Sequence, residues 1–209
     1  MGGIFNIDSP IMNILNKVTN IVILNLCFIV SCLPVVTIGA GITALYTVNL
    51  KMVRDEESYV FSAYWNAFRK NFKQSTLCWL ILLAVGVIFF LDFRVAFSLS
   101  GAAGLFFRVV LSVLGVIYIV TLLYIFPYIA RFDDNIKTCF KNALMIGGAN
   151  IGYTFVILMI MAACTAVSIM SPAVTLRALF IWIVGGFSLL AFVNSYFFRR
   201  VFGKYDHKN

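Results

Sequence analysis

The chain has 209 residues, of which 62% are hydrophobic and only 11% are Asp, Glu, Lys or Arg, with a formal net charge of +8. Soluble domains carry roughly 25% charged residues and about 45–50% apolar ones, so a chain with a mean hydropathy of +1.00 lacks the polar surface to face water all round and is far too apolar to be disordered. It reads as an all-α polytopic membrane protein with room for about six spans of roughly 20 residues, and with none for a soluble catalytic domain.

The first span is expected over 12–33, since Pro34 stops a helix at its preceding residue. Its Ile29-Val30-Ser31-Cys32 run resembles a lipoprotein cleavage site, yet the apolar run is read as a retained span. Thr37-Ile38-Gly39-Ala40-Gly41 is a breaker cluster, so the segment from Leu33 to Thr43 predicts a tight turn near the external surface, covered by neighbouring helices or by a partner because broken backbone at membrane depth needs shielding. A short second span, 41–54, follows; if it is interfacial instead, the count falls to five. An amphipathic helix over 59–73 precedes the third span, 76–97, and the remaining spans are 105–130, 150–170 and 174–198. Short external turns at 98–104 and 171–173 make antiparallel hairpins of the flanking helices.

The basic residues sit at the ends of apolar runs, which points to membrane orientation and not to nucleic-acid binding. Lys51, Arg54, Arg69, Lys70 and Lys73 share one side with Arg131, Lys137, Lys141, Arg199, Arg200, Lys204 and Lys208, while Arg94, Arg108 and Arg177 face the other. The basic side is expected to be cytoplasmic, with the C-terminus there. Six spans also place Lys17 and the N-terminus inside; five would place them outside.

Phe61, Tyr64, Trp65, Phe68 and Phe72 recur at helical spacing, with Ser62, Asn66, Arg69, Lys70 and Lys73 elsewhere around the helix. This predicts a basic amphipathic helix lying on the inner surface, either as an anchor in anionic lipid or as a docking face for another membrane protein. Asp92 is the only acid within a span, with Arg94 two residues on and Arg108 across the hairpin. A structural pair near the surface is favoured over a proton relay. Asn20, Asn25, Thr121 and Asn194 are the uncharged polar positions singled out in the spans, and Ala40/Ala44, Gly148/Gly152 and Ala162/Ala166 have helix-packing spacing. Trp65-Asn66-Ala67-Phe68 and Lys141-Asn142-Ala143-Leu144 hint at a parallel repeat, although chance similarity explains them as well.

Chemistry-bearing motifs are missing from the sequence. The five cysteines form no C-x-x-C pair, and the single His207 leaves neither a metal site nor a His-based triad. Asp133 and Asp134 read as solvated charge beside Lys137. No P-loop or other nucleotide or hydrolase signature occurs, so neither a cofactor nor catalysis is expected.

Asn25, then Leu33-Pro34-Val35-Val36-Thr37-Ile38-Gly39 and Thr43-Ala44-Leu45-Tyr46, then 51–61 and Phe68-Arg69-Lys70-Asn71-Phe72-Lys73-Gln74, resemble the YesL-like family of bacterial membrane proteins. The resemblance is strong over 5–80 and beyond that rests on hydropathy and length; Gly39-Ala40-Gly41 stands where many members have Gly-Pro-Ala. It carries no catalytic residue over, and marks Asn25, Pro34, Thr37, Gly39, Tyr46, Tyr64, Trp65, Phe68, Arg69 and Phe72 as structural or interface positions only. It implies an accessory subunit beside an ATP-driven importer of plant oligosaccharides. Such a subunit would bind the permeases and, through them, the ATPase and the solute-binding protein, in the bacterial cytoplasmic membrane. The Glu-Ala-Ala loop of importer permeases is missing, so the chain is not expected to couple to the ATPase. The alternative is an independent small-solute transporter or channel, with the four polar positions lining a path and Trp79 or Trp182 stacking on a sugar.

Overall fold

The structure, a computed structural model, describes residues 10–56 and 59–205, with side chains from Ile14 onward. Glu57, Ser58, His207, Lys208 and the first positions of the family resemblance lie outside the described residues. Among the described residues eight α-helices follow one another: α1 (Pro10–Cys32), α2 (Ile38–Met52), α3 (Val60–Ser98), α4 (Gly101–Arg131), α5 (Ile136–Ala149), α6 (Ile151–Ser168), α7 (Pro172–Ile181) and α8 (Phe187–Phe202). A 3-10 turn, Val35–Thr37, leads into α2, and a π-helical turn, Trp182–Gly186, joins α7 to α8 in one helical run. Six stretches are long and apolar enough to cross a membrane: Ile14–Cys32, Val35–Met52, Val60–Ser98, Gly101–Arg131, Ile151–Ser168 and Pro172–Phe202. The chain is an all-α, multi-pass membrane protein.

The second span, which the sequence left ambiguous, is the centre of the packing. Buried residues make up 61% of its most apolar stretch, against 11% in the third and fifth spans. Gly39 and Gly41 lie within α2 and do not form a breaker cluster. Their value is close approach. A Cβ on Gly39 would stand 2.5 Å from the Trp79 Cβ and 2.6 Å from the Ser75 carbonyl oxygen, and one on Gly41 would stand 2.8 Å from the Cys32 Sγ. Missing side chains thus let α2 press against α1 and α3, while Thr43 accepts a 2.9 Å hydrogen bond from Ser75.

The turn expected at 33–43 is therefore shorter, and the chain's own helices leave it uncovered. Leu33, Pro34, Val35 and Val36 are exposed. Their backbone is satisfied locally, without burial: Thr37 Oγ1 donates to the Ser31 and Pro34 carbonyls, and the Trp79 indole donates to the Val35 carbonyl at 2.9 Å.

The expected surface helix at 59–73 and the span at 76–97 are a single element. Residues 73–76, Lys-Gln-Ser-Thr, contain no Gly or Pro to break α3. At about 1.5 Å per residue a helix of this length runs nearly twice the ~30 Å hydrocarbon thickness, so its first half projects beyond the span. The second amphipathic stretch behaves differently. Gly147, Gly148 and Asn150 end α5, with the Asn150 side chain donating to the Ile146 carbonyl at 2.9 Å and Thr154 Oγ1 to the Gly147 carbonyl at 2.9 Å. The two resembling segments thus part company.

The turn between α3 and α4 is tighter than expected, whereas the one between α6 and α7, residues 169–171, keeps the expected length and lies two residues earlier. Only Leu99 and Ser100 separate α3 from α4, because Gly101 starts α4 at a φ of +75° and Gly104 passes against the Leu99 carbonyl. Pro172 opens α7 at a position where its missing N–H costs nothing, and the Ser171 side chain caps that helix.

Candidate functional site

The basic residues gather at one end of the molecule. Lys17 on α1 pairs with Asp55 at 2.9 Å, Lys70 on α3 with Asp133 at 2.8 Å, and Arg199 on α8 donates to the Val53 carbonyl at 2.8 Å. Asp133 therefore serves α3, and Asp134 accepts from the Tyr128 hydroxyl; neither is the solvated partner of Lys137 that the sequence implies. Lys17 with Arg199 behind it holds the Asp55 carboxyl below the usual carboxylate range. On α5, burial pushes the Cys139 thiol up to about 11, so it stays protonated and packs as a small hydrophobe.

Between α2, the first half of α3 and the end of α4 lies a cleft of about 600 Å³. Lys51, Lys70 and Arg131 bring positive charge to it and Asp133, paired with Lys70, a carboxylate; Ser62, Asn66 and Asn71 bring amides and a hydroxyl, and Tyr59 stands at its edge, 90% exposed. These residues can grip a polar or acidic segment. They do not include a nucleophile with an adjacent base, and no metal-holding cluster occurs among the described residues. The sequence pointed to this stretch by its aromatic stripe, and missed the opposing wall because α2 and α4 meet it only in three dimensions.

The stripe itself divides. Tyr64 is fully buried, its hydroxyl bonded to Ser31 and 3.4 Å from the Gly41 carbonyl, so it ties α3 to α1 and α2 and is not a membrane-lying residue. Trp65 and Phe68 are half-buried against the core, in an edge-to-face pair 5.5 Å apart. Phe61, Arg69 and Phe72 are exposed.

Of the other marked positions, Asn25 has the most defined role. Fully buried, its amide donates to the Trp182 and Ile183 carbonyls at 3.0 and 2.8 Å and accepts from the Ser188 backbone N–H at 3.0 Å. It fills the gap opened by the π-turn, a helix irregularity that frees carbonyls from their usual donors. Tyr46 packs edge-on against Phe198 at 5.5 Å, Pro34 and Thr37 shape the turn, and Gly39 is a contact point of α2. Asn20 lines a shallow hollow beside Tyr59, Thr121 bonds back to its own helix, and Asn194 is buried next to the Tyr46 hydroxyl. Trp182 donates to Ser168 at 3.0 Å.

At the opposite end, the expected pairing of Asp92 is not formed. Asp92 is exposed and makes no ion pair among the described residues. Arg94 lies over Phe90 at 6.0 Å and Arg108 over Phe97 at 5.7 Å. Of the small-residue pairs, Ala40 and Ala44 are fully buried, whereas Gly148/Gly152 and Ala162/Ala166 face outward.

A six-span helical membrane protein with a polar cleft at its basic end is the class these observations define. Residues 21–93, covering α2 and most of α1 and α3, match the family described as "Protein of unknown function, DUF624". The match covers about a third of the chain and agrees with the YesL-like resemblance. It is also 25% identical over 121 residues to the "Uncharacterized protein YteU" of Bacillus subtilis (strain 168), an alignment covering 57% of this chain and 54% of that protein. The chain thus spans about half the length of the curated relative it matches. No solved structure matches it.

Proposed function

We propose that the protein is an accessory, non-catalytic membrane subunit of an ATP-driven oligosaccharide importer, binding the permease subunits in the bacterial cytoplasmic membrane with its basic end and both termini in the cytoplasm. The carbohydrate assignment rests on the family resemblance; the lysine and arginine bias supports the orientation. The observation that carries the docking role is the bare outer half of the α3–α4 hairpin. Phe90, Leu91, Val95, Phe106, Val109 and Val113 are all more than half exposed, and Asp92 lies exposed among them. Lipid can cover the apolar side chains, but a carboxylate in lipid costs several kcal/mol, and a partner helix offering a donor removes that cost. The outward small-residue pairs support the same reading.

Co-purification in mild detergent, from cells growing on the oligosaccharide with both permeases expressed, tests it. The tagged protein is expected to bring the permeases with it, and Asp92→Leu to weaken that recovery. Tagged protein emerging alone would sink the proposal. One observation favours an independent transporter: Asn49 Oδ1 and Ser188 Oγ are buried without hydrogen-bond partners among the described residues. Solute flux into liposomes above empty vesicles, abolished by Asn49→Leu, would promote that reading.

A further inference from the structure

Three helices end at the basic end around a pocket distinct from the cleft. Arg54 follows α2, Arg131 closes α4 and Arg199 lies in the last turn of α8. Together they wall a pocket of about 160 Å³ floored by Leu50 and Phe202, both almost completely buried, with Gly203 at its lip. We propose that this three-arginine pocket binds a phosphate group. The proposal is independent of the importer reading.

The bland role of each arginine is real and incomplete. Cations near helix C-termini meet the negative end of the macrodipole and the last free carbonyls. Arg54 donates its Nε–H to the Leu50 carbonyl at 3.1 Å, and Arg199 donates from Nη1 to the Val53 carbonyl at 2.8 Å. Each guanidinium has five N–H donors, so one bond fixes each fork and leaves further donors for an anion. Arg131, which carries an interaction of its own, adds the third planar group.

Among the described residues Asp55, Glu56 and Asp133 lie nearby, and none lines the pocket; Asp133 is taken by Lys70. Asp55 is taken by Lys17, and Glu56, largely in solvent, stands 3.7 Å from Arg54. Planar forks suit the oxygens of phosphate better than they suit a spherical halide. The volume, equivalent to about five waters at ~30 Å³ each, admits a phosphate group. The phosphate can belong to an anionic lipid headgroup or to free phosphate.

The full chain decides between these sources in two arms. In detergent, thermal stability is measured in inorganic phosphate against chloride at equal ionic strength. In nanodiscs, lipid retention is counted by native mass spectrometry with phosphatidylglycerol against phosphatidylcholine. Stabilisation by phosphate identifies the free anion; retention of phosphatidylglycerol alone identifies the headgroup. In either arm Arg199→Gln and Arg131→Gln are expected to weaken binding about tenfold, the loss of one charge-assisted hydrogen bond, while Arg200→Gln, one residue outside the pocket, leaves it unchanged. Should a glutamine variant fail to fold, Arg199→Lys keeps the charge without the fork and is expected to lose about as much. Equal binding by wild type and Arg199→Lys, an equal loss in Arg200→Gln, or no preference for phosphate or phosphatidylglycerol in either arm overturns the proposal.

Discussion

α2 and the outer half of the α3–α4 hairpin are both apolar helix in the same membrane, and they are built by opposite means. α2 is short and studded with Gly39, Ala40, Gly41, Thr43, Ala44 and Asn49, and every one of these residues is buried. The hairpin beyond residue 83 is richer in Phe, Val, Ile and Leu, and nearly all of it is exposed. In water the larger hydrophobes would take the centre. In lipid, tails are as apolar as Leu, so helix association is driven by close packing and interhelical hydrogen bonds. Small and polar residues therefore let α2 pack at the centre among buried aromatics, while the hairpin's bulky residues form the surface offered to lipid or a partner.

The strongest way to break this contrast is to give Gly39 a side chain. Gly39→Ala forces a methyl group to within 2.5–2.6 Å of Trp79 and the Ser75 carbonyl, and is expected to destabilise by roughly 3 kcal/mol, the upper end for overpacking. Gly115→Ala in α4 meets nothing within 4 Å and should be neutral or stabilising by up to about 1 kcal/mol. Melting in mild detergent, followed by size-exclusion after heating, compares them; equal melting points would remove close approach as the reason for glycine.

A smaller effect is expected at Asn25. Asn25→Leu keeps the branching of the side chain and removes all three bonds to the π-turn, at a cost of about 1–2 kcal/mol. Cysteine accessibility at Trp182 and Ile183, substituted one at a time, should rise in the variant. An unchanged melt together with unchanged labelling would show that the π-turn holds without its plug.

Weaker still is the Lys17–Asp55 pair at the basic end. Because the Asp55 carboxyl is held below its ordinary value by Lys17, its contribution is complete above the unfolded value of about 4. It is lost as pH falls through the lowered folded value. Stability near neutrality should therefore be insensitive to this group, with a small loss appearing only under acid. Asp55→Asn should flatten that acid limb, and an identical limb in the variant would assign it to other carboxylates.

The least effect on the isolated protein is expected at Asp92. Asp92→Leu, on the bare face, should shift stability in detergent by no more than about 0.5 kcal/mol, although it weakens permease recovery. A large loss of stability would mean that Asp92 serves this chain's own fold, and the hairpin would then cease to be a free surface.

Composition and hydropathy alone determined that the chain is helical, membrane-embedded and about six spans long, because the cost of exposing backbone and charge to lipid leaves few alternatives. Charge placement alone gathered the basic residues at one end, and the residues of the first 80 carried the family resemblance. Only the tertiary structure decided what the ambiguous segments are. Gly39 and Gly41 look identical in sequence whether they break a helix or let another helix touch it; only the nearness of Trp79 and Cys32 tells the two apart. Tyr64 has the spacing of a surface stripe, yet its hydroxyl finds Ser31 on another helix. The convergence of Arg54, Arg131 and Arg199 was invisible for the same reason. Each reads as an ordinary charge after a span, and their proximity is set by how three helices, distant in sequence, end side by side.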